Sequence, residues 1–158
     1  MNNITLTVNK QNVYDEVAKT TAYAGSKMTD DEGAYDRIFT TEADRMMLER
    51  FWIEACNEAT EEFKPFILSV SEQKEGKEPD LTRDYSVELE LSSRFDTNLK
   101  GSMETSLFSF FVATIVGKWC KFTDKGETGS YSDDARKALM DIHSKMYYRK
   151  KPTRVAPV

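Results

Sequence analysis

The stretch Leu107-Phe-Ser-Phe-Phe-Val-Ala-Thr-Ile-Val-Gly-Lys-Trp-Cys-Lys-Phe122 decides the fold. Apolar side chains fall on nearly every side of a helix running from Leu99 to Phe122, and a helix of that kind is buried on most of its faces. The remaining elements are therefore expected to surround it. The apolar run has 16 residues, and since a bilayer span needs about 20 residues, we expect a soluble protein.

Small residues recur along one side of this helix at spacings of three and four. Such a stripe lets the backbone of another element approach closely. Tight packing inside the protomer's own core is the favoured interpretation, and a contact between subunits is the alternative. The stripe consists of Ser102, Ser106, Ser109, Ala113 and Gly117.

Three further helices are predicted around the central one. The first starts at Asn9 or Asn12 and fades at Gly25. Thr41-Glu-Ala-Asp44 predicts a capped start for the second, and Pro65 predicts its end or a kink. Ser130-x-x-Asp133 predicts the cap of the last, whose buried face comprises Tyr131, Ala135, Ala138, Leu139, Ile142 and Met146.

Two segments alternate between apolar and polar residues, as expected for half-buried strands. Residues 84–95 show the cleanest alternation, and Ile4, Leu6 and Val8 form a shorter one. The partner of the longer strand is residues 66–72, residues 3–8 or a neighbouring subunit. Residues 66–71 fit either a helical turn or a strand, and 73–83 read as a loop.

The sequence thus predicts a mainly α fold: a four-helix bundle-like single domain with a small β element. This domain spans residues 1–148 with a β insertion at about 66–95. A basic, flexible tail follows at 149–158.

Charge separates that tail from the rest of the chain. The protein has 22 basic and 27 acidic residues, a net charge of −5, and four of the positive charges lie in the tail, which leaves −9 elsewhere. An acidic body argues against general DNA or RNA binding, because phosphate neutralisation needs a basic face.

The tail is the candidate protein interface, although an ordinary solvated terminus is the alternative. Pro152 halts the last helix, and the adjacent tyrosines belong to a residue type enriched at interfaces. An acidic groove on a neighbouring copy or another protein would complement the tail; nucleic-acid phosphate would bind it weakly. The interface residues are Tyr147, Tyr148, Arg149, Lys150, Lys151 and Arg154.

Residues that carry chemistry are few, so we expect no enzyme, cofactor or metal site. His143 is the only histidine and has no ligand partner at the usual spacing. Cys56 and Cys120 fall in apolar helical patterns and are expected to be two buried thiols rather than a disulfide. The acidic clusters Asp30-Asp31-Glu32 and Asp133-Asp134 match no calcium loop. A carboxylate-dependent enzyme stays open but unsupported.

Three motifs in this order resemble those of one protein family. They are Thr41-Glu-Ala-Asp-x-x-x-Leu48, Gly117-Lys-Trp-Cys-Lys-Phe-Thr123, and Tyr147-x-Arg-Lys-Lys-Pro-x-Arg154. The chain resembles the head–tail connector (adaptor, or head-completion) proteins of tailed bacteriophages, particularly those of gut bacteria and including ring proteins of crAss-like phages. Its segment from Phe66 to Phe95 departs from their commonest, all-helical pattern.

The resemblance implies a structural virion protein, assembled in the host cytoplasm, that forms a ring of twelve copies beneath the portal. The tail would dock on the portal or a neighbouring subunit. The strand with Tyr85, Val87 and Leu89 would contribute to ring contacts or the channel. DNA would pass through without sequence-specific binding, and tail proteins would lie beyond. No membrane or small-molecule substrate is implied.

The second functional hypothesis is a small helical binding or regulatory module that acts through its acidic body or basic tail. It predicts a monomer or dimer with salt-sensitive binding to a soluble partner, whereas the connector predicts a large oligomer.

Overall fold

The computed structural model describes residues 1–27, 33, 40–41, 44–71, 84–123 and 128–152. The mainly α fold with a small β element is confirmed. In chain order, the elements are β1 (Asn2–Val8), α1 (Lys10–Lys27), α2 (Arg45–Phe63), β2 (Ile67–Val70), β3 (Tyr85–Leu91), α3 (Lys100–Thr123) and α4 (Thr128–Tyr147). Short 3-10 turns precede β2 and α3.

The three strands form an antiparallel sheet in the order β1-β3-β2. Both expected partners of β3 are therefore real: Ile4 pairs with Leu89 on one side, and Ile67 pairs with Leu89 on the other. Residues 66–71 fit either a helical turn or a strand by sequence, and they contain strand β2. The regular strand β3 ends at Leu91, earlier than the alternation suggests, because a turn bonds the Phe95 amide to the Ser92 carbonyl.

Helix α3 lies at the centre of the molecule, as its apolar composition predicts. It packs against helices α1, α2 and α4 and against strand β1. Its side chains meet aromatic residues of the other layers: the Phe111 ring lies 4.7 Å from Trp52 and 5.3 Å from Tyr85, centroid to centroid. The core is thus continuous from the helices to the inner face of the sheet.

The predicted helix ends are partly right. Helix α2 ends at Phe63, and Pro65 lies in the following 3-10 turn. Before its start, the Asp44 carboxylate accepts a hydrogen bond from the Thr41 backbone amide at 2.8 Å, as in a capping box. The regular helix nevertheless begins only at Arg45.

The predicted cap at Ser130 is wrong. Helix α4 already begins at Thr128, which places Ser130 inside its first turn. The loop predicted at 73–83 lies outside the described residues.

The small-residue stripe of α3 packs against α4 within the same protomer, which was the favoured interpretation. Ser106 donates to Asp141 at 2.6 Å. A Cβ added to Gly117 would come 3.2 Å from the Tyr131 Cβ, so glycine allows the helices to approach closely there. Hydrogen bonds from Lys145 and Ser106 lower the pKa of Asp141. The helix pair is therefore joined by both close packing and an anchored carboxylate.

Both cysteines are buried and neither forms a disulfide, which confirms the prediction of two buried thiols. Among the described residues, every helix is either too short or too polar to cross a bilayer.

Candidate interaction surface

The basic tail leaves α4 at a fixed point on the protein surface. Arg149 donates through Nη1 to the Met146 carbonyl at 3.1 Å, which satisfies one of the carbonyls left open at the helix end. The Lys150 amide donates to the Arg94 carbonyl at 2.8 Å, and Arg94 Nη2 returns a bond to the Lys150 carbonyl at 3.2 Å. The first residues of the tail are thus held on the turn after β3.

Two tyrosines flank this attachment. Tyr147 is 47% exposed and Tyr148 is 53% exposed. The Tyr147 ring packs edge-on against Phe66, with a centroid distance of 5.4 Å, and lies 4.8 Å from His143. These aromatic side chains are therefore partly fixed and partly available to a partner.

We call Tyr147, Tyr148, Arg149, Lys150 and Lys151 the tail-root surface. The structure brings these five predicted interface residues together, and all of them are exposed. Arg154, the sixth predicted tail residue, lies outside the described residues.

His143 lies beside this surface, where its ring contacts a single carboxylate. Its Nδ1 lies 2.9 Å from Glu62 Oε1. The described residues contain no group of three or more histidine, cysteine or acidic side chains arranged to hold a metal ion.

The other three predicted interface residues lie in strand β3, away from the tail-root surface. Their assignment to an interface is wrong for their side chains. Tyr85, Val87 and Leu89 are fully buried in the protomer's own core. Strand β3 is also the central strand, so both of its edges are already paired. Burial raises the pKa of Tyr85 to about 12, and its hydroxyl lies 3.0 Å from Thr60 Oγ1.

The opposite face of the sheet is polar and open. Thr5 lies beside Glu88, and Asn3 beside Glu90, in the pairing of β1 with β3. These positions are half-buried or exposed, whereas the apolar positions that alternate with them are buried. The β element therefore presents carboxylates and uncharged polar groups to solvent.

A buried polar cluster joins α1 to α2. The Lys10 ammonium lies 2.5 Å from Glu49 Oε1, and the Tyr14 hydroxyl donates to Glu49 Oε2 at 2.6 Å. Burial, followed by the hydrogen bond to Glu49, raises the pKa of Tyr14. Lys10 Nζ also lies 5.7 Å from the centre of the Trp52 ring, within cation–π range.

Sequence reasoning missed this cluster. A signal was present, since Glu49 lies next to Leu48 and three residues before Trp52 on the apolar side of α2. Its partner is 39 positions away, so the pairing itself is not visible in the sequence. The cluster is enclosed by the core, and the Lys10 amide is fixed by the Asp84 carboxylate at 2.9 Å. The hydrogen bonds and the ion pair of this cluster therefore hold helix α1 against helix α2.

No protein-family model, curated protein or solved structure matches the chain.

Proposed function

We propose that this chain is a structural virion protein: a head–tail connector of a tailed bacteriophage, which forms a ring below the portal and extends the DNA channel toward the tail. The observation that carries the proposal is the tail-root surface, where exposed tyrosines and basic residues are anchored on an acidic body. The order of motifs along the sequence supports the same assignment.

The anchoring favours a binding role for the tail. Because Lys150 is bonded in both directions to Arg94, the direction in which the chain leaves the body is set before any partner arrives. Pre-organisation of this kind reduces the ordering entropy that binding costs. A neighbouring subunit or a portal would thus meet a defined basic and aromatic surface.

The charge distribution suits a protein that lets DNA pass. The chain outside the tail carries −9, and the open face of the sheet presents Glu88 and Glu90. A channel wall of this charge would repel phosphate, whereas a basic wall would bind DNA and slow it. We therefore propose the sheet's polar face as a channel-facing surface.

A tail-neutralised variant tests the proposal. Arg149, Lys150, Lys151 and Arg154 are changed together to glutamine, and oligomer mass is measured by light scattering at increasing protein concentration. A matched control removes four other positive charges: Lys19→Gln, Arg50→Gln, Arg136→Gln and Lys137→Gln, all at exposed positions. We expect a ring-sized species for the parent and the control, and its loss in the tail variant.

Equal assembly of the tail variant and the control would overturn the role of the tail. A parent that stays small, yet binds a soluble protein in a salt-sensitive way through the tail, would instead support the regulatory module.

A further inference from the structure

Strand β1 lies at one edge of the sheet formed by the described residues. Its residues Asn2–Val8 pair with β3 along one edge. Among the described residues, no backbone hydrogen bond to another element leaves the other edge. An edge of this kind offers a row of amide and carbonyl groups to an incoming strand.

This edge lacks the features that normally discourage strand pairing. Its seven residues, Asn-Asn-Ile-Thr-Leu-Thr-Val, include no charge and no proline. Its register against β3 is also uninterrupted. Natural edge strands are usually protected by charges, proline, bulges or shortness.

The opposite edge of the same sheet shows the contrast. Strand β2 has four residues and follows Pro65 closely. Its register against β3 shifts between Ile67 and Ser69. Shortness, a nearby proline and an irregular register therefore protect β2, while β1 is long and regular.

We propose that β1 pairs with the β1 strand of a second copy of this chain, antiparallel and about a two-fold axis at Thr5. In that register, Thr5 faces the partner's Thr5 and Asn3 faces the partner's Thr7 on the polar side of the sheet. On the apolar side, Ile4 faces the partner's Leu6. The result is one six-stranded sheet shared by two protomers.

The strand's own chemistry favours a second copy as the occupant. Its polar side chains are uncharged hydrogen-bonding groups, so a self-pair brings no like charges together, and threonine pairs across strands are favourable. Each copy supplies the same length and the same alternation, so a two-fold contact is self-complementary.

The dimer goes beyond the proposed ring and is independent of it. A two-fold contact closes with two copies and stops, whereas a ring needs two different surfaces on each copy. The tail-root surface contributes no residue to the β1 pairing.

A charge-swap experiment tests the self-pairing. Thr5 is exposed, so Thr5→Lys and Thr5→Glu leave the core of the protomer unchanged. Both variants also carry Glu88→Gln, because Thr5 lies opposite Glu88 within the protomer and that carboxylate would repel the new glutamate and pair with the new lysine. Each variant alone would place like charges opposite each other at the two-fold axis, and we expect about fivefold weaker self-association. Mixing the two variants places lysine opposite glutamate, and we expect the mixed dimer to form in preference to either homodimer.

Native mass spectrometry of the full-length variants, one carrying a mass label, counts homodimers and mixed dimers. Thr105→Lys provides the control, because this residue is exposed on α3 and should leave dimerisation unchanged. Circular dichroism checks that each variant keeps its fold.

Undiminished dimers in both single variants, or a mixture without preference for the mixed dimer, would overturn the proposal, as would a parent that never dimerises. The tail-neutralised variant should still dimerise through β1. The ring and the dimer can therefore fail separately.

Discussion

Lys10 and Glu49 form an ion pair inside the protein, with 2.5 Å between the ammonium and the carboxylate and side-chain exposures of 1% and 11%. Tyr14 binds the second oxygen of the same carboxylate. Glu49 therefore holds two residues of α1 against α2. Since the ion pair is shielded from water, removal of one partner should cost more than removal of both.

Glu49→Gln should lower the free energy of unfolding by about 3–5 kcal/mol, because it leaves a buried ammonium opposite a neutral amide. The double variant Lys10→Met with Glu49→Met should lose less, since no buried charge remains. Urea unfolding of the two variants and the parent measures both values. If the free energy of unfolding of Glu49→Gln lies within about 1 kcal/mol of the parent's, the ion pair contributes no more than a solvent-exposed pair would.

Alkaline pH should destabilise the protein partly through Tyr85. Burial raises the pKa of Tyr85 from 10.0 to about 12 in the folded state. The neutral phenol therefore contributes its full stabilisation below pH 10, and this contribution is lost as the pH rises toward the folded-state pKa. A shift of this size corresponds to about 2–3 kcal/mol.

Tyr85→Phe should consequently show a shallower loss of stability above pH 10 than the parent. It should also be about 1 kcal/mol less stable at neutral pH, because its hydrogen bond with Thr60 is gone. Urea unfolding at several pH values measures the slopes. Identical slopes in the two proteins would contradict the burial of the phenol.

Two glycines of α3 should respond in opposite directions to substitution. A Cβ at Gly117 would lie 3.2 Å from the Tyr131 Cβ, whereas one at Gly101 would meet nothing within 4 Å. Gly117→Val should destabilise by about 1–3 kcal/mol through overpacking. Gly101→Ala should stabilise by about 0.5 kcal/mol by restricting the unfolded chain. Thermal unfolding compares them, and a neutral Gly117→Val would refute the close approach of α3 and α4.

Arg94→Ala should loosen the first residues of the tail without altering the charges of the tail itself. It removes the guanidinium bond to the Lys150 carbonyl but leaves the backbone bond in place. We expect a stability change below about 1 kcal/mol and faster hydrogen exchange at the amides of residues 148–151. Unchanged exchange there would show that Arg94 does not hold the tail. Arg50→Ala is a suitable control for loss of a surface arginine, since its side chain is 70% exposed.

The sequence predicts the helices and strands of this fold better than it predicts the contacts that each of them makes. Apolar residues all round α3 correctly place that helix at the centre, and alternation correctly identifies β1 and β3. Alternation shows that one face of a strand is buried, but it does not show whether the same protomer or a neighbouring subunit covers that face. The family resemblance implies ring contacts or a channel position for Tyr85, Val87 and Leu89, whereas their side chains lie in the protomer's own core.

The residues of the tail-root surface could be predicted from the sequence, but their attachment to the body could not. The basic residues after Tyr147 are adjacent in the chain, so their shared position needs no knowledge of the fold. Their attachment to Arg94 joins residues 56 positions apart, and only the folded chain brings the two together. The Lys10–Glu49 pair was missed for the same reason.

The most direct test of the proposed function is solution mass by light scattering across a wide concentration range, with and without residues 149–158. The connector predicts a species near twelve times the 18.1 kDa chain mass, or near twice that mass where β1 pairing joins two rings. Truncation should reduce either species to no more than the β1 dimer. A full-length chain that never exceeds a dimer and does not bind a phage portal ring would contradict it.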